Sequence, residues 1–298
     1  MLRPFRGLPL AALAFALFGP AQADENLFGY IKGAEPLPKG AREFYINTTS
    51  RNDKGQGHYS ALDLGAEYEY GLTERLAVAA EIKGMRLNTS GLIIDGYLPK
   101  ANSFDLKFAG LEASMKYNFL SAARDDLGVS LFTGLTYLTV DPHSGQSKKT
   151  WSLEEKLLLQ KYFLDGQLIW IGNVHFEGTR AVRAPIDDLP PDFDWPTEPE
   201  MELELGAGTG LSYRFAPNWF VGAELFYVQE NETEVGLERW SLQGGPNIHY
   251  GSEKWWATLT WFPQIQGGGE TYPGQTHDDL HLVEKTRFET RLKFGINF

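Results

Sequence analysis

From about residue 40 onward, apolar and polar residues alternate with a period of two rather than 3.6, which predicts strands. In 201–215, Met201, Leu203, Leu205, Ala207, Leu211, Tyr213 and Phe215 share one face, interrupted only by Thr209. Glu202, Glu204, Ser212 and Arg214 share the other with Gly206, Gly208 and Gly210. The last segment sets Phe288, Thr290, Leu292, Phe294, Ile296 and Phe298 against Arg287, Glu289, Arg291, Lys293 and Asn297. Near residue 62, Leu62, Leu64, Ala66, Tyr68 and Tyr70 oppose Asp63, Glu67 and Glu69. Twelve such segments are expected: 40–48, 58–70, 76–87, 103–119, 127–139, 149–162, 167–178, 200–215, 219–230, 235–250, 254–266 and 284–298. The fourth changes phase near Gly110, which predicts a bulge. The sixth places Glu155 on the face of Leu153 and Leu157, against the pattern.

Many of these strands are far longer than the five or six residues usual in soluble sheets. Their connections alternate in kind: tight at 71–75, 121–126, 164–166, 216–218 and 251–253, longer and polar at 88–102, 179–199 and 267–283, with shorter loops at 49–57, 140–148 and 231–234. Tyr70, Phe119, Phe163, Phe215, Trp219, Tyr250, Trp255 and Phe298 flank the tight turns or the terminus, where aromatic rings would meet a bilayer interface. Long dyad strands, alternating turn lengths and aromatic ends describe an all-β, antiparallel up-and-down transmembrane barrel of about 12 strands, with both termini on the turn side, the periplasm. A periplasmic sandwich would need shorter strands and a second sheet over the apolar face.

The first 23 residues read as a cleaved secretory signal peptide. Arg3 and Arg6 precede an apolar stretch from Leu8 to Phe18, and Ala21-Gln22-Ala23 is an A-x-A cleavage site. The stretch is too short to span a bilayer core of about 30 Å. Residues 24–298 then form one outer-membrane barrel domain. The formal net charge of -12 argues against nucleic acid as partner. Zero cysteines exclude disulfides, thiolate metal sites and a thiol nucleophile.

The terminal Phe298, with apolar residues at alternate positions back to Phe288, resembles the C-terminal signature of Gram-negative outer-membrane barrels. That resemblance implies an assembly signal, Phe288, Phe294, Ile296 and Phe298, read by the barrel-assembly machinery. The run Leu27-Phe28-Gly29-Tyr30-Ile31-Lys32-Gly33-Ala34-Glu35, followed by Leu37-Pro38-Lys39-Gly40, is similar to an uncharacterised family of bacterial outer-membrane proteins. The similarity continues through Asp53-Lys54-Gly55 and Ala61-Leu62-Asp63. Such a family, a domain of unknown function, supplies no catalytic residues.

The alternation assigns inward acids at Glu43, Asp63, Glu67, Glu69, Glu81, Asp105, Glu112, Glu154, Glu177, Glu202, Glu204, Glu224 and Glu289. Inward bases are Lys83, Lys107, Lys116, Lys156, Arg214, Arg239, Arg287, Arg291 and Lys293, and His175 and His249 also point in. Either water or partners must satisfy each charge. Glycines such as Gly206, Gly208 and Gly210 leave space, so a water-filled passage is expected over a lumen closed by pairing. His58 and Ser60 share a lipid-facing strand face, and a serine with a histidine base could make a lipid hydrolase, but no acid is assignable to orient it. His277, Asp278, Asp279 and His281 offer metal donors in a loop whose spacing fixes no geometry. The acidic loop 187–202 lacks the spacing of a calcium-binding EF-hand. Gly267-Gly268-Gly269 lacks the Lys-Ser/Thr and helix of a phosphate-binding loop.

These patterns predict a porin-like passive channel for small polar solutes in the bacterial outer membrane, in contact with lipid and lipopolysaccharide and needing no cofactor. Selectivity would come from Glu67, Glu69, Glu81, Glu202, Glu204 and Glu224, with Arg214, Arg291 and Lys293 opposite. The rival classes are an outer-membrane lipid-modifying hydrolase and a closed structural or adhesion barrel.

Overall fold

The structure is a computed structural model that describes residues 26–92, 101–186, 195, 197–232 and 236–298. The expected leader lies outside the described residues. Among the described residues thirteen strands follow one another: β1 (Arg42–Asn52), β2 (His58–Gly71), β3 (Leu76–Ser90), β4 (Ser103–Leu120), β5 (Gly128–Val140), β6 (Ser147–Phe163), β7 (Leu168–Arg183), β8 (Glu200–Ala216), β9 (Trp219–Glu232), β10 (Gly236–Gly251), β11 (Trp255–Trp261), β12 (Gln264–Gly269) and β13 (Phe288–Asn297). Each pairs antiparallel with its sequence neighbour from β1 to β10, and β13 pairs with β1. β11 joins β10 to β13 and closes the sheet.

β11 and β12 are one barrel strand interrupted at Pro263, which has no N–H to donate. The residues around it keep the wall paired: Phe262 N–H donates to the Glu289 carbonyl (2.8 Å), Gln264 N–H to that of Arg287 (3.0 Å), and Gly244 N–H to that of Pro263 (3.1 Å). The wall is therefore a closed antiparallel barrel of 12 strands, as the alternation predicted. The expected segment 254–266 corresponds to β11 and the start of β12, while 284–287 belong to the preceding loop rather than to β13.

The outer face carries a continuous belt of exposed apolar side chains, among them Ile82, Leu111, Leu135, Val174, Leu211, Leu259 and Leu292. An apolar belt on every strand has no counterpart on a water-soluble surface and suits hydrocarbon. Its turn-side edge is an aromatic chain: Trp219 against Tyr250 (5.0 Å between centroids), Tyr250 against Trp255 (4.5 Å) and Trp255 against Phe294 (5.9 Å). At the opposite edge Tyr137 packs on Trp151 (4.7 Å). Glu155, out of pattern in the sequence, does face outward, and it accepts a hydrogen bond from the Thr133 hydroxyl directly across on β5 (2.9 Å).

The predicted bulge falls at Ala109. Lys83 faces Gly110 and Gly84 faces Phe108, so Ala109 has no partner. A second register shift follows between Met85 and Leu87. The second shift, which sets two β4 residues against Arg86, corrects one assignment: Asp105 is not a lumen acid but lies fully exposed on the outer surface, 4.0 Å from Arg86. The tight turn after β6 puts Leu164 and Asp165 at φ +53° and Gly166 at +78°, a left-handed run that a short strand-to-strand reversal requires.

Trp256 is fully buried inside the wall, and an added Cβ at Gly295, its partner on β13, would stand 2.2 Å from the indole. Gly295→Val is expected to lower the stability of the refolded barrel by about 1–3 kcal/mol, the usual cost of overpacking. Gly178→Val, where a Cβ meets nothing within 4 Å, is the control. Urea unfolding midpoints in detergent check it, and equal shifts for the two variants would refute the packing argument.

Candidate functional site

The strand register sets lumen carboxylates side by side. Glu67 on β2 faces Glu81 on β3, which faces Glu112 on β4. Beyond β5, Glu154 on β6 faces Glu177 on β7, then Glu204 on β8, then Glu230 on β9. Like charges directly opposite on neighbouring strands are destabilising, so each row needs cations. Lys83 sits against Glu81 and 2.8 Å from Glu112. Lys156 lies 2.5 Å from Glu154, and His175 Nε2 lies 2.8 Å from Glu204. Arg239 holds Glu230 (2.6 Å), Glu284 (3.0 Å) and Glu270 (3.2 Å).

Two cations come from outside the strands. Lys285, in the loop 270–287, reaches Glu230 (3.6 Å) and Glu204 (3.7 Å). Lys32 lies over the Phe132 ring (4.2 Å). Burial alone would lower the Lys32 pKa, but Glu67, Glu112, Glu154 and Glu81 together raise it. That field comes from both rows, so Lys32 serves the two of them.

Lys32 is carried by residues 26–41, which run inside the turn end of the barrel. Glu224 on β9 accepts the backbone N–H of Gly29 (2.8 Å), Tyr30 (2.8 Å) and Ile31 (3.0 Å) and the Thr260 hydroxyl (3.1 Å). Asn173 on β7 accepts the Lys32 N–H (2.8 Å) and donates to its carbonyl (2.9 Å). Gln160 on β6 accepts the Ala34 N–H (2.8 Å). Arg291 donates to the Gly29 carbonyl (2.9 Å) and lies 3.8 Å over the Tyr30 ring, which stacks on Phe262. Leu27, Phe28 and Ile31 are buried with Ile169 and Ile171.

The loop 270–287 enters from the other end. Tyr272, Leu280, Leu282 and Val283 join Tyr59, Ala61, Met85, Leu87 and Val140 in an apolar cluster inside the wall. Lys54 Nζ donates to the carbonyls of Val283 (2.8 Å) and Lys285 (3.1 Å), and burial, with Arg51 adding to it, holds its pKa well below the usual lysine value. Arg51 grips Asp63 with two bonds, 2.6 and 2.9 Å. His281 exchanges hydrogen bonds with Gln264 (2.6 and 2.9 Å). The lumen is thus narrowed from both ends by chain that is not part of the wall. Between the two closures remains a cavity of about 190 Å³ lined by Asn47, Thr49, Asp63, Glu81, Lys83, Met85 and Arg291, with space and polar partners for several waters.

The predicted lumen residues have different surroundings. Glu67 and Glu81 belong to the first carboxylate row and Glu204 to the second. Glu69 faces Glu43 at the turn end, and Glu202 approaches Lys148 (3.9 Å). Glu224, Arg291 and Lys293 instead hold the N-terminal segment, Lys293 through the Asn26 side chain (2.5 Å). Arg214 is half-buried at the turn end and forms no ion pair with a described residue. Phe294, Ile296 and Phe298 face outward and are exposed, and Phe288 is half-buried at the loop end of β13. His58 is exposed and Ser60 half-buried on the outer face, opposite Ser90 and Asn88, and among the described residues neither pairs with an acid. Asp278 and Asp279 are exposed while His281 is buried, and among the described residues those four do not converge as ligands. In the acidic loop 187–202, residues 187–194 lie outside the described residues; Glu200 pairs with Arg183 (2.6 Å). Sequence reasoning missed Glu230, although its even spacing from Glu224 assigns it inward, and it missed Lys32, Lys54, Glu284 and Lys285, for which strand alternation gives no signal.

The sequence matches the model of a family of unknown function, DUF6662, over residues 20–298. The chain belongs to this family. The membership agrees with the resemblance drawn from the N-terminal run. No curated protein matches the sequence. Among solved structures, the DUF6662 barrel is similar to an outer-membrane channel from Pseudomonas putida F1, with 12% identity, a TM-score of 0.54, and coverage of 89% of this chain and 98% of that one. The translocator domain of the autotransporter NalP from Neisseria meningitidis is 11% identical, with a TM-score of 0.49 over 87% of this chain and 88% of that one. At 12% identity the likeness to the Pseudomonas putida channel establishes the fold alone, that of outer-membrane barrels.

Two predictions follow from the closures. Glu224→Gln removes the carboxylate that holds three successive amides, and hydrogen bonds to a charged group are worth about 1.5–3 kcal/mol each. Amide exchange at Gly29, Tyr30 and Ile31 should accelerate by roughly tenfold or more, and unchanged exchange would refute the anchor. For the outer loop, burial holds His281 down to about 3, with Lys285, Arg239 and Lys54 adding to it against Glu230. Burial also holds His143 well below 6.5. Docking by these neutral imidazoles is intact above 6.5 and weakens as the pH falls from there toward about 3. Glu284 acts oppositely, since burial and then Glu230 hold its carboxyl well above 4.5 and so favour docking at low pH. Proteolysis within 270–287 should be faster at pH 5 than at pH 7.5, and His281→Asn should shrink the difference; cleavage independent of pH in the unmodified protein would sink the assignment.

Proposed function

We propose that the protein is an outer-membrane channel for small polar solutes with a preference for cations, held narrow by its N-terminal segment and its loop 270–287. The observation that carries this reading is the pair of carboxylate rows, Glu67–Glu81–Glu112 and Glu154–Glu177–Glu204–Glu230, on two stretches of one lumen wall separated by β5. Side-by-side acids cost stability that an inert barrel has no reason to bear, and acidic linings select cations. Lys32 and Lys285 neutralise the rows from segments outside the wall, so displacing those segments would raise the negative potential and widen the path together. The solved barrel with a TM-score of 0.54 is described as an outer-membrane channel, which supports the same class of activity. The reading includes export through a signal peptide cleaved after Ala23, assembly guided by Phe288, Phe294, Ile296 and Phe298, and residence in the bacterial outer membrane among lipid and lipopolysaccharide.

The second reading is a closed structural barrel, favoured by the filling of both ends. Planar-bilayer recording of the refolded barrel in a salt gradient separates them. The channel reading expects discrete steps with a cation-selective reversal potential. Glu204→Gln combined with Glu154→Gln should move that potential toward zero, and deletion of residues 24–35 should raise the unit conductance several-fold. Silence from both the full chain and the deletion, with insertion confirmed by heat-modifiable gel mobility, would replace the channel with the structural barrel.

A further inference from the structure

Among the described residues, one group brings three metal-ligating side chains together. One donor atom each from Glu154, His175 and Glu177 lies within 4.8 Å of the others, on the lumen face of β6 and β7. We propose that this group binds a divalent first-row transition-metal ion, with zinc as its test ion. One nitrogen and two carboxylate oxygens suit such ions, with water free to complete the shell. Tetrahedral metal–ligand bonds of roughly 2.0–2.2 Å place the donors about 3.3–3.6 Å apart, so the group needs to contract by up to roughly 1.5 Å.

The cluster is more than a set of neighbouring acids. His175 is 4% exposed, and its ring packs edge-on against Phe226 (5.8 Å between centroids), which restricts the plane of the imidazole. Nδ1 lies 3.2 Å from Glu154 and Nε2 2.8 Å from Glu204, yet neither nitrogen is aligned for a hydrogen bond. The imidazole meets these carboxylates by charge rather than by aligned hydrogen bonds, and an ion between Glu154 and Glu177 would replace that contact with a coordinate bond. Glu204, opposite Glu177 on β8, supplies charge around the ion without being needed as a ligand. Lys156, 2.5 Å from Glu154 and opposite His175, is the resident competitor. Binding exchanges the lysine's grip on Glu154 for the ion's. It also requires a neutral imidazole, so any proton on His175 is released to solvent.

The binding claim stands on these side chains alone. That the ion is also a solute moving along the lumen rests on the channel reading above. The refolded barrel, its fold checked by heat-modifiable mobility, is dialysed against zinc at pH 7.5. The expected result is one ion per barrel. His175→Ala and Glu177→Gln should each weaken binding at least tenfold, and Lys156→Met should tighten it. His277→Ala with Asp279→Asn, which removes two donors from the outer loop, should leave binding unchanged. No zinc on the folded protein, binding that survives both His175→Ala and Glu177→Gln, or binding abolished by the loop variant would each overturn the site. Zinc should reduce the conductance of the unmodified barrel and not that of His175→Ala. One ion bound to a barrel that never conducts keeps the site and removes the channel.

Discussion

Hydrocarbon contains no hydrogen-bond partner for a peptide group, so a sheet in it must leave no edge. The rest of this molecule follows from that constraint. Closure requires β13 to find β1, and it requires the wall to stay paired around Pro263, where Phe262 and Gln264 bond to β13 and the Pro263 carbonyl serves β10. Once the ring is closed, alternate residues have no choice of environment. Outward positions meet lipid and are apolar, and inward positions can be charged because water or counter-charges reach them. The outward carboxyl of Glu155 is tolerable because Thr133 stands directly across from it as a donor.

The same register that satisfies the backbone creates the electrostatic problem inside. Pairing is set by the wall, so Glu154, Glu177, Glu204 and Glu230 stand abreast whatever their charges prefer. The strands supply part of the compensation through Lys83, Lys156 and Arg239. The remainder comes from segments that are not in the wall, through Lys32 and Lys285. Filling the lumen and neutralising it are therefore one process, performed by pieces of chain that do not carry the barrel's own pairing.

The wall was legible in the sequence because its signal is local. A residue's parity within a strand decides its face, and twelve runs of alternation gave the strand count, the turn end and the bulge near Gly110. Asp105 failed because a second register shift between β3 and β4, beyond the bulge, restores the parity that the bulge had inverted, and no single-strand pattern reports its partner's register. The interior was less legible. Gly206, Gly208 and Gly210 suggested open space, but Ile31 and Phe28 of the N-terminal segment pack onto Gly208 and Gly210, where a Cβ would lie 2.3 and 2.6 Å from them. Those glycines make room for the chain itself. Nothing in the alternation says which non-strand segment turns inward, because such segments are read only through the tertiary contacts they make.

The two closures differ in what holds them, and the difference bears on which can open. The outer loop buries an apolar cluster, and Lys54 is committed there to backbone carbonyls, so undocking exposes Leu282 and Tyr272 to water. The N-terminal segment also buries apolar side chains, but its backbone is held by the side chains of Glu224, Asn173, Gln160 and Arg291, groups that water can serve once the segment leaves. Its departure would also remove Lys32 from between the two rows and leave Glu67, Glu112 and Glu154 to be satisfied by water or by an entering cation. On the proposed channel reading, the replacement of Lys32 by a permeating cation is close to an exchange of like for like. On that reading the turn-end segment is the closure whose opening the lumen accommodates.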